Sequence, residues 1–269
     1  MSGADVSQAP AGPADPSPAL AIEGLSRAFG GVRAIQEVTA DIPAGAVTAV
    51  IGPNGAGKTT LINLITGIYL PHAGTIRLFG APVTGNPPER LARLGMARTF
   101  QNLRVCMNMS AEDNVMIGAH LSLPSGLFAG MFRLPSLRRA DVRCRDEAHA
   151  LMKRVGIARY AGMLASGMPY GALKQLEIAR ALAARPRLLL LDEPAAGLNA
   201  TEKVEIARLI GDIARDGTTI ILVEHDMRLV MGVSDHVIVL DHGMLLASGT
   251  PDEIRADPAV VAAYLGTAS

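Results

Sequence analysis

The chain has 269 residues, of which 49% are apolar, and this composition predicts a folded protein with a sizeable core rather than a disordered one. Lysine plus arginine and aspartate plus glutamate number 25 each, so no net field would recruit nucleic acid or an acidic membrane surface. Cys106 and Cys144 lack metal-ligand spacing, and two thiols in a chain of this length favour a reducing compartment.

The N-terminus predicts a tail rather than a signal peptide. Residues 1–18 contain Asp5, Asp15 and four prolines, without a basic segment ahead of an apolar core. No apolar run in the sequence approaches the roughly 18 residues that a membrane-spanning helix requires. We therefore expect a disordered tail at 1–18, a folded domain at 19–269, and a cytoplasmic protein that reaches a membrane through partners.

From Leu20 onward, strand and helix patterns alternate along the chain. The first half predicts strands at Ala21–Leu25, Val32–Ile42, Val47–Ile51 and Thr75–Phe79, and helices at Lys58–Ile68 and Pro87–Leu94. The second half predicts helices at Leu173–Ala184, Thr201–Arg215 and Met227–Val233, strands at Leu188–Leu191, Thr218–Val223, Val237–Leu240 and Met244–Ser248, and short C-terminal helices. This alternation predicts an α/β fold around a mostly parallel sheet.

Between these halves, the stretch at about 105–170 predicts a helical subdomain inserted into the α/β core. Helical patterns cover Ala111–Leu121 and Leu137–Val155, and the link between them, Leu123–Ser136, carries glycine and proline.

A glycine-rich segment follows the strand predicted at Val47–Ile51 and matches the full P-loop pattern G-x-x-x-x-G-K-[ST]. Glycines let successive backbone N–H groups point at phosphate oxygens, and the following helix N-terminus adds positive charge. Lys58 is expected to contact the β- and γ-phosphates, and the Thr59 hydroxyl to bind Mg²⁺. The candidate nucleotide-binding residues are Gly52, Pro53, Asn54, Gly55, Ala56, Gly57, Lys58, Thr59 and Thr60.

Four leucines at 188–191 precede Asp192, Glu193 and Pro194. An apolar strand that ends in carboxylates delivers them to the carboxyl edge of the sheet, where ligands bind in open α/β folds. Asp192 suits the Mg²⁺ site, through a bound water, and Glu193 suits the base that orients and deprotonates the attacking water.

The order of these motifs resembles that of the ABC ATPase family over nearly all of residues 20–267. The resemblance implies a P-loop NTPase core with an N-terminal antiparallel β region and cofactors ATP and Mg²⁺. Gln101, in Arg-Thr-Phe-Gln, aligns with the family's Q-loop glutamine, which touches Mg²⁺ and couples to the membrane partner. His225 aligns with the switch histidine near the γ-phosphate, and Phe29 with the aromatic residue that stacks on adenine.

Two loops depart from the general family pattern. In the segment that resembles the D-loop, Asn199 replaces the usual aspartate. In the signature loop, Pro169 replaces the serine that would bind the γ-phosphate, and a proline also lacks an N–H donor. The N–H groups of Tyr170 and Gly171 and the helix N-terminus remain as donors to the ATP of an opposing subunit.

The Tyr-Gly signature makes the chain most similar to the ATPases of branched-chain amino acid importers. So do the runs beginning at Arg98 and Glu224, the inserted segment Gly126–Gly130, and the ending that contains Ala-Tyr-Leu-Gly at 263–266. This resemblance implies a second ATPase subunit, identical or paralogous, two membrane permease subunits, an indirect periplasmic solute-binding protein, and no nucleic acid. It places the chain at the cytoplasmic face of the cell membrane.

Several alternatives remain open at this point. The cargo could instead be urea, a short amide or another amino acid, or the chain could drive a lipopolysaccharide-type exporter. A P-loop small-molecule kinase is the competing enzyme class, and a soluble ABC protein acting on nucleic acid is a third. Phe128, Met131 and Phe132 predict either a permease-docking surface or a small core of the helical subdomain.

Overall fold

A six-stranded sheet, in the order β10-β9-β3-β8-β7-β6, forms the centre of the protein. The computed structural model describes residues 17–100, 103–119 and 135–265, with the backbone alone at 135–141 and 265. The strands are β3 Val47–Ile51, β6 Met96–Arg98, β7 Leu188–Asp192, β8 Thr219–Val223, β9 His236–Asp241 and β10 Met244–Gly249. All neighbours pair in parallel except β9 and β10. Every residue of β3, β7 and β8 is buried, as in parallel sheets covered on both faces.

The N-terminal strands form a second, antiparallel sheet in the order β2-β1-β4-β5. They are β1 Leu20–Phe29, β2 Val32–Ile42, β4 Ala73–Leu78 and β5 Ala81–Pro82. Strand β1 continues beyond the predicted end at Leu25, with register shifts between Ile22 and Ala28. Gly24 lies at the first shift with φ of 59°, which an L side chain rarely adopts.

The helices cover both faces of the main sheet and form the inserted subdomain. They are α1 Lys58–Ile65, α2 Pro88–Arg93, α3 Ala111–Gly118, α4 Pro135–Arg154, α5 Tyr170–Ala183, α6 Ala200–Arg215, α7 Met227–Val233, α8 Pro251–Ala256 and α9 Pro258–Leu265. Val115, Met152 and Leu176 bring α3, α4 and α5 into one buried cluster. Across the described residues, no helix is both long and apolar enough to span a bilayer.

The predicted fold class is confirmed, with differences at element ends that have local causes. Helix α1 ends three residues earlier than predicted, ahead of Gly67, whose φ is 71°. Helix α5 begins at Tyr170 rather than Leu173, because Pro169 already serves as its N-cap. The three-residue strand β6 was not predicted, since so short a run carries no periodicity. Most of the predicted tail (1–16) and nearly all of the Leu123–Ser136 link, including Phe128, Met131 and Phe132, lie outside the described residues.

Candidate active site

The P-loop connects β3 to α1 and its backbone requires glycine. Gly57 has φ of 100°, and a β-carbon there would lie 2.6 Å from the carbonyl oxygen of Ala34. Lys58 Nζ donates to the carbonyl oxygens of Gly52 at 2.6 Å and Pro53 at 3.0 Å. Burial lowers the pKa of Lys58, and the nearby carboxylate of Glu193 opposes that shift. The loop therefore closes around its own ammonium group.

An open cavity of about 650 Å³ lies over this loop. It is lined by Asn54, Gly55, Ala56, Gly57, Lys58, Thr59 and Thr60, by Glu193 from the end of β7, and by Val32, Arg33, Ala34, Gln36 and His242. The structure thus places most of the predicted nucleotide-binding residues and the predicted base around one cavity, with backbone N–H groups and an ammonium suited to phosphate.

Asp192 ends β7 and is 7% exposed. Its Oδ2 accepts a hydrogen bond from Arg98 Nη2 at 2.8 Å, and its backbone N–H donates to Thr99 Oγ1 at 3.2 Å. Arg98 was not predicted as a site residue, although it belongs to the Arg-Thr-Phe-Gln run. In the region that the structure describes, no cluster of three or more His, Cys, Asp or Glu side chains could hold a metal ion.

Glu193 turns the chain away from the sheet in a left-handed conformation, with φ of 49°. Its N–H donates to the Val223 carbonyl at 2.9 Å, and its own carbonyl accepts from Lys174 Nζ at 3.3 Å. The carboxylate faces the P-loop cavity, and its Oε1 lies 3.8 Å from His225 Nδ1. The structure therefore brings the predicted base and the predicted switch histidine together.

Glu224 is a buried carboxylate at this site that the sequence analysis missed. Its Oε1 accepts from the Ala195 N–H at 2.8 Å and its Oε2 from the His225 N–H at 3.1 Å, while the residue is 2% exposed. It thereby joins the loop after Glu193 to the loop that carries His225. The signal was available, because Glu224 directly follows the apolar strand β8 as Glu193 directly follows β7.

The Tyr170–Gly171 pair lies against the segment that follows Glu193. The Tyr170 ring packs on Gly197, where a β-carbon would lie 3.0 Å from Cε1. Gly171 is buried against the carboxylate of Glu202. Asn199, the expected departure from aspartate, caps α6 in a reciprocal capping box with Glu202.

Comparison with known proteins places this geometry in a family. A family profile described as ABC transporter matches residues 35–196. This match covers more than half of the chain, including the P-loop and the Asp192–Glu193 pair.

The chain belongs to the ABC transporter family. As an ATP-binding subunit of this family it binds nucleotide and hydrolyses ATP. A second profile, described as branched-chain amino acid ATP-binding cassette transporter, matches residues 244–269.

Curated relatives match the chain almost end to end. The high-affinity branched-chain amino acid transport ATP-binding protein LivG of Salmonella typhimurium is 44% identical over 252 residues, covering 93% of this chain and 99% of the relative. The corresponding protein BraF of Pseudomonas aeruginosa is 42% identical over 252 residues, with the same coverage.

Solved cassettes share the fold. A nucleotide-free ATP-binding cassette from an ABC transporter superposes with a TM-score of 0.79 at 28% identity, covering 91% of this chain and 98% of that one. The ADP conformation of an ATP-binding cassette also gives a TM-score of 0.79 at 28% identity, with coverage of 92% and 98%.

Gln101, predicted to be the Q-loop glutamine, lies outside the described residues. Residues on either side of it are held by helix α5. Glu177 Oε1 accepts from the N–H of Phe100 at 3.2 Å and from that of Arg104 at 3.4 Å. Burial raises the pKa of Glu177, and these two hydrogen bonds partly offset the shift. Glu177 was not predicted, although a glutamate on the apolar side of an amphipathic helix is a usable signal.

Phe29, the predicted adenine-stacking residue, lies at the tip of the β1–β2 hairpin and is 40% exposed. Its ring packs edge-on against that of Tyr69, with 5.2 Å between the ring centroids. The Arg27 guanidinium carbon lies 4.8 Å from the centroid of the Phe29 ring. Across the hairpin it pairs with Val32, which lines the P-loop cavity. Adenine stacking by Phe29 stays a prediction.

The C-terminal helix of the cassette reaches the first glycine of the P-loop. Tyr264 in α9 packs against a small core that includes Ile51, the last residue of β3. Its hydroxyl accepts a hydrogen bond from the Gly52 N–H, which partly offsets the rise in the Tyr264 pKa that burial causes. Tyr264, part of the Ala-Tyr-Leu-Gly run noted in the sequence as a resemblance, therefore contacts the first glycine of the P-loop.

Proposed function

We propose that this chain is the ATPase subunit of an importer for branched-chain amino acids. It would work at the cytoplasmic face of the cell membrane with a second ATPase subunit, two permease subunits and, indirectly, a periplasmic solute-binding protein. The observation that carries this proposal is the similarity to LivG, which spans nearly the whole of both chains. The separate profile match at residues 244–269 supports the same solute class.

Phosphate binding follows from the geometry of the P-loop. Its N–H groups and the α1 N-terminus supply donors, and Lys58 supplies the positive charge inside the loop. Catalysis of phosphoryl transfer depends mainly on this positioning and on neutralising charge.

The residues present also fit a magnesium ion. The hydroxyl of Thr59 and the carboxylate of Asp192, together with Gln101, would hold it. A small number of protein ligands is sufficient for Mg²⁺, because the ion keeps several waters and also binds substrate phosphates. When bound, the ion neutralises phosphate charge.

Water activation is assigned to Glu193. Its carboxylate faces the cavity over the P-loop, and the left-handed backbone fixes where it points. Glu193 would accept the proton of the attacking water, while His225, 3.8 Å away at Nδ1, would orient the γ-phosphate. Glu224 holds the backbone of the His225 loop in place for this role.

The signature loop is assigned to the partner subunit's ATP. Tyr170 and Gly171 begin α5, where N–H groups lack partners within the helix. In a head-to-tail dimer these groups would meet the opposing γ-phosphate. For Phe128, Met131 and Phe132, permease docking and a small core of the helical subdomain both stay predictions.

Transport in proteoliposomes tests the proposal. The chain is co-purified with permeases encoded beside it, and uptake of labelled leucine is measured with its binding protein, with ATP inside or outside the vesicles. We expect ATP-dependent uptake of labelled leucine. Excess unlabelled isoleucine or valine should reduce this uptake, and excess urea should not. Urea-competed uptake would reassign the cargo. Phosphate release that requires an added small-molecule acceptor would assign the chain to the kinases instead.

A further inference from the structure

Arg98 occupies a buried position between the P-loop helix and the Asp192 strand. It is the last residue of β6, and its guanidinium is the meeting point of three acceptors. Nη1 donates to Asn63 Oδ1 at 2.7 Å and to Thr66 Oγ1 at 3.1 Å, both on or next to α1. Nη2 donates to Asp192 Oδ2 at 2.8 Å.

The Arg98–Asp192 ion pair is shielded from water. The two side chains are 9% and 10% exposed. The Phe100 ring lies 5.0 Å from the guanidinium carbon and covers it further. Charge-assisted hydrogen bonds in such surroundings are short and directional, so they fix the orientation of the carboxylate.

Two roles for Arg98 give opposite expectations. As a competitor, Arg98 would bind the Asp192 carboxylate only while the metal ion is absent, and the ion would displace it. As an anchor it would stay and hold one oxygen so that the other faces the ion. The contacts favour an anchor, because Asn63 and Thr66 hold the guanidinium independently of Asp192. The hydroxyl of Thr99, the residue after Arg98, accepts a hydrogen bond from the Asp192 backbone N–H.

We infer that Arg98 is a positioning residue for the divalent ion of the nucleotide site: it holds Asp192 Oδ2 and thereby fixes the orientation of the carboxylate that would meet the metal's water. The arrangement also ties the last turn of the P-loop helix to the carboxylate. Phosphate ligands and metal ligand then move as one unit. The inference rests on the proposed Mg·ATP function.

The experiment measures metal affinity directly rather than turnover. Mn²⁺ is titrated into the ATP-loaded full-length protein and followed by electron paramagnetic resonance, and ATP binding is measured separately in EDTA. The variants are Arg98→Met, which removes the charge, and Arg98→Lys, which keeps the charge. The lysine has one ammonium group and cannot reproduce the two separate donors Nη1 and Nη2. Arg154→Met is the matched control, because its guanidinium pairs with Asp216 away from the nucleotide.

Loss of a hydrogen-bond partner behind a direct metal ligand lowers metal affinity by about 10- to 100-fold. Because Asp192 would meet the ion through a water, a loss at the lower end of this range, about 10-fold, is expected. We expect Arg98→Met to show that loss of Mn²⁺ affinity, with ATP binding in EDTA unchanged. The Mn²⁺ affinity of Arg98→Lys should lie between those of Arg98→Met and the parent, and that of Arg154→Met should equal the parent's. Parental or tighter Mn²⁺ binding in Arg98→Met would overturn the inference. If Arg98→Met fails to fold, Arg98→Lys decides by the same criterion. A parent that binds no ATP would instead refute the proposed function.

Discussion

Gly171, the signature-loop glycine, packs so closely on Glu202 that a β-carbon at position 171 would overlap the Glu202 carboxylate. The same carboxylate accepts the Asn199 N–H in the capping box of α6. The first turns of helices α5 and α6 of one subunit are therefore in contact at the position expected to meet the partner's ATP. A substitution at Gly171 has an effect within the subunit as well as across the dimer.

This contact changes how the dimer model is tested. Gly171→Asp is expected to abolish ATP hydrolysis and spare ATP binding by the monomer, but its side chain would also displace the flexible Glu202 carboxylate from the capping box of α6. Glu202→Ala removes the clash, so Gly171→Asp in the Glu202→Ala background isolates the dimer effect. We expect the double variant to match Glu202→Ala in thermal stability and to remain inactive beside that active control. Hydrolysis by the double variant at the rate of Glu202→Ala would refute the head-to-tail arrangement.

Glu193→Gln should lower hydrolysis by roughly two to four orders of magnitude, the contribution expected of a positioned base. ATP binding should persist, and the trapped ATP state should dimerise more strongly. Phosphate release and size-exclusion chromatography with ATP measure the two effects. Glu205→Gln, an exposed position on α6, is the control. Near-normal turnover in Glu193→Gln would remove Glu193 from the role of base.

Glu177 predicts a pH dependence of stability. Its pKa in the folded protein lies above the ordinary value of 4.5 because of burial. The folded state therefore holds the proton more tightly than the unfolded chain. The free energy of unfolding should fall as pH rises from 4.5 through the folded-state pKa. Glu177→Gln keeps an oxygen acceptor for Phe100 and Arg104 but does not titrate. Urea unfolding of both proteins across this range should show the parent losing stability relative to Glu177→Gln as pH rises; parallel curves would contradict the prediction.

Tyr264→Phe removes the acceptor of the Gly52 N–H and keeps the ring in its apolar setting. We expect a stability loss of about 0.5–1.5 kcal/mol and weaker ATP binding, because the first P-loop glycine loses a fixed partner. Chemical denaturation and nucleotide titration measure the two quantities. Tyr160→Phe, in the helical subdomain, is the control. Unchanged ATP affinity in Tyr264→Phe would show that α9 supports the sheet without influencing the P-loop.

The sequence predicted those parts of the site that lie next to one another along the chain. The P-loop and the Asp192–Glu193 pair each combine a strand, a loop and chemistry within one short segment, so pattern alone places them. Arg98 could not be assigned this way, because its three acceptors lie on α1, at the C-cap of α1 and on β7, far away in sequence.

Glu224 and Glu177 show a second limit. Each is a glutamate in an apolar setting, and burial of a carboxylate implies nearby donors. Which donors they are depends on packing between loops, and the sequence carries no local signal for Ala195 or Phe100 as the partners. The fold class was predictable because strand and helix periodicity is local, whereas the ends of α1 and α5 depended on Gly67 and Pro169.

The strand order has a consequence for biosynthesis. Strand β3, which carries the P-loop, pairs on one side with β8 and on the other with β9, so its neighbours leave the ribosome long after it does. Such distant pairing slows folding and leaves apolar edges exposed in a nascent chain. A product terminated before residue 236 lacks β9, and we expect it to have no formed ATP site. Incomplete subunits would therefore go to chaperones and proteases rather than join a transporter as inactive partners.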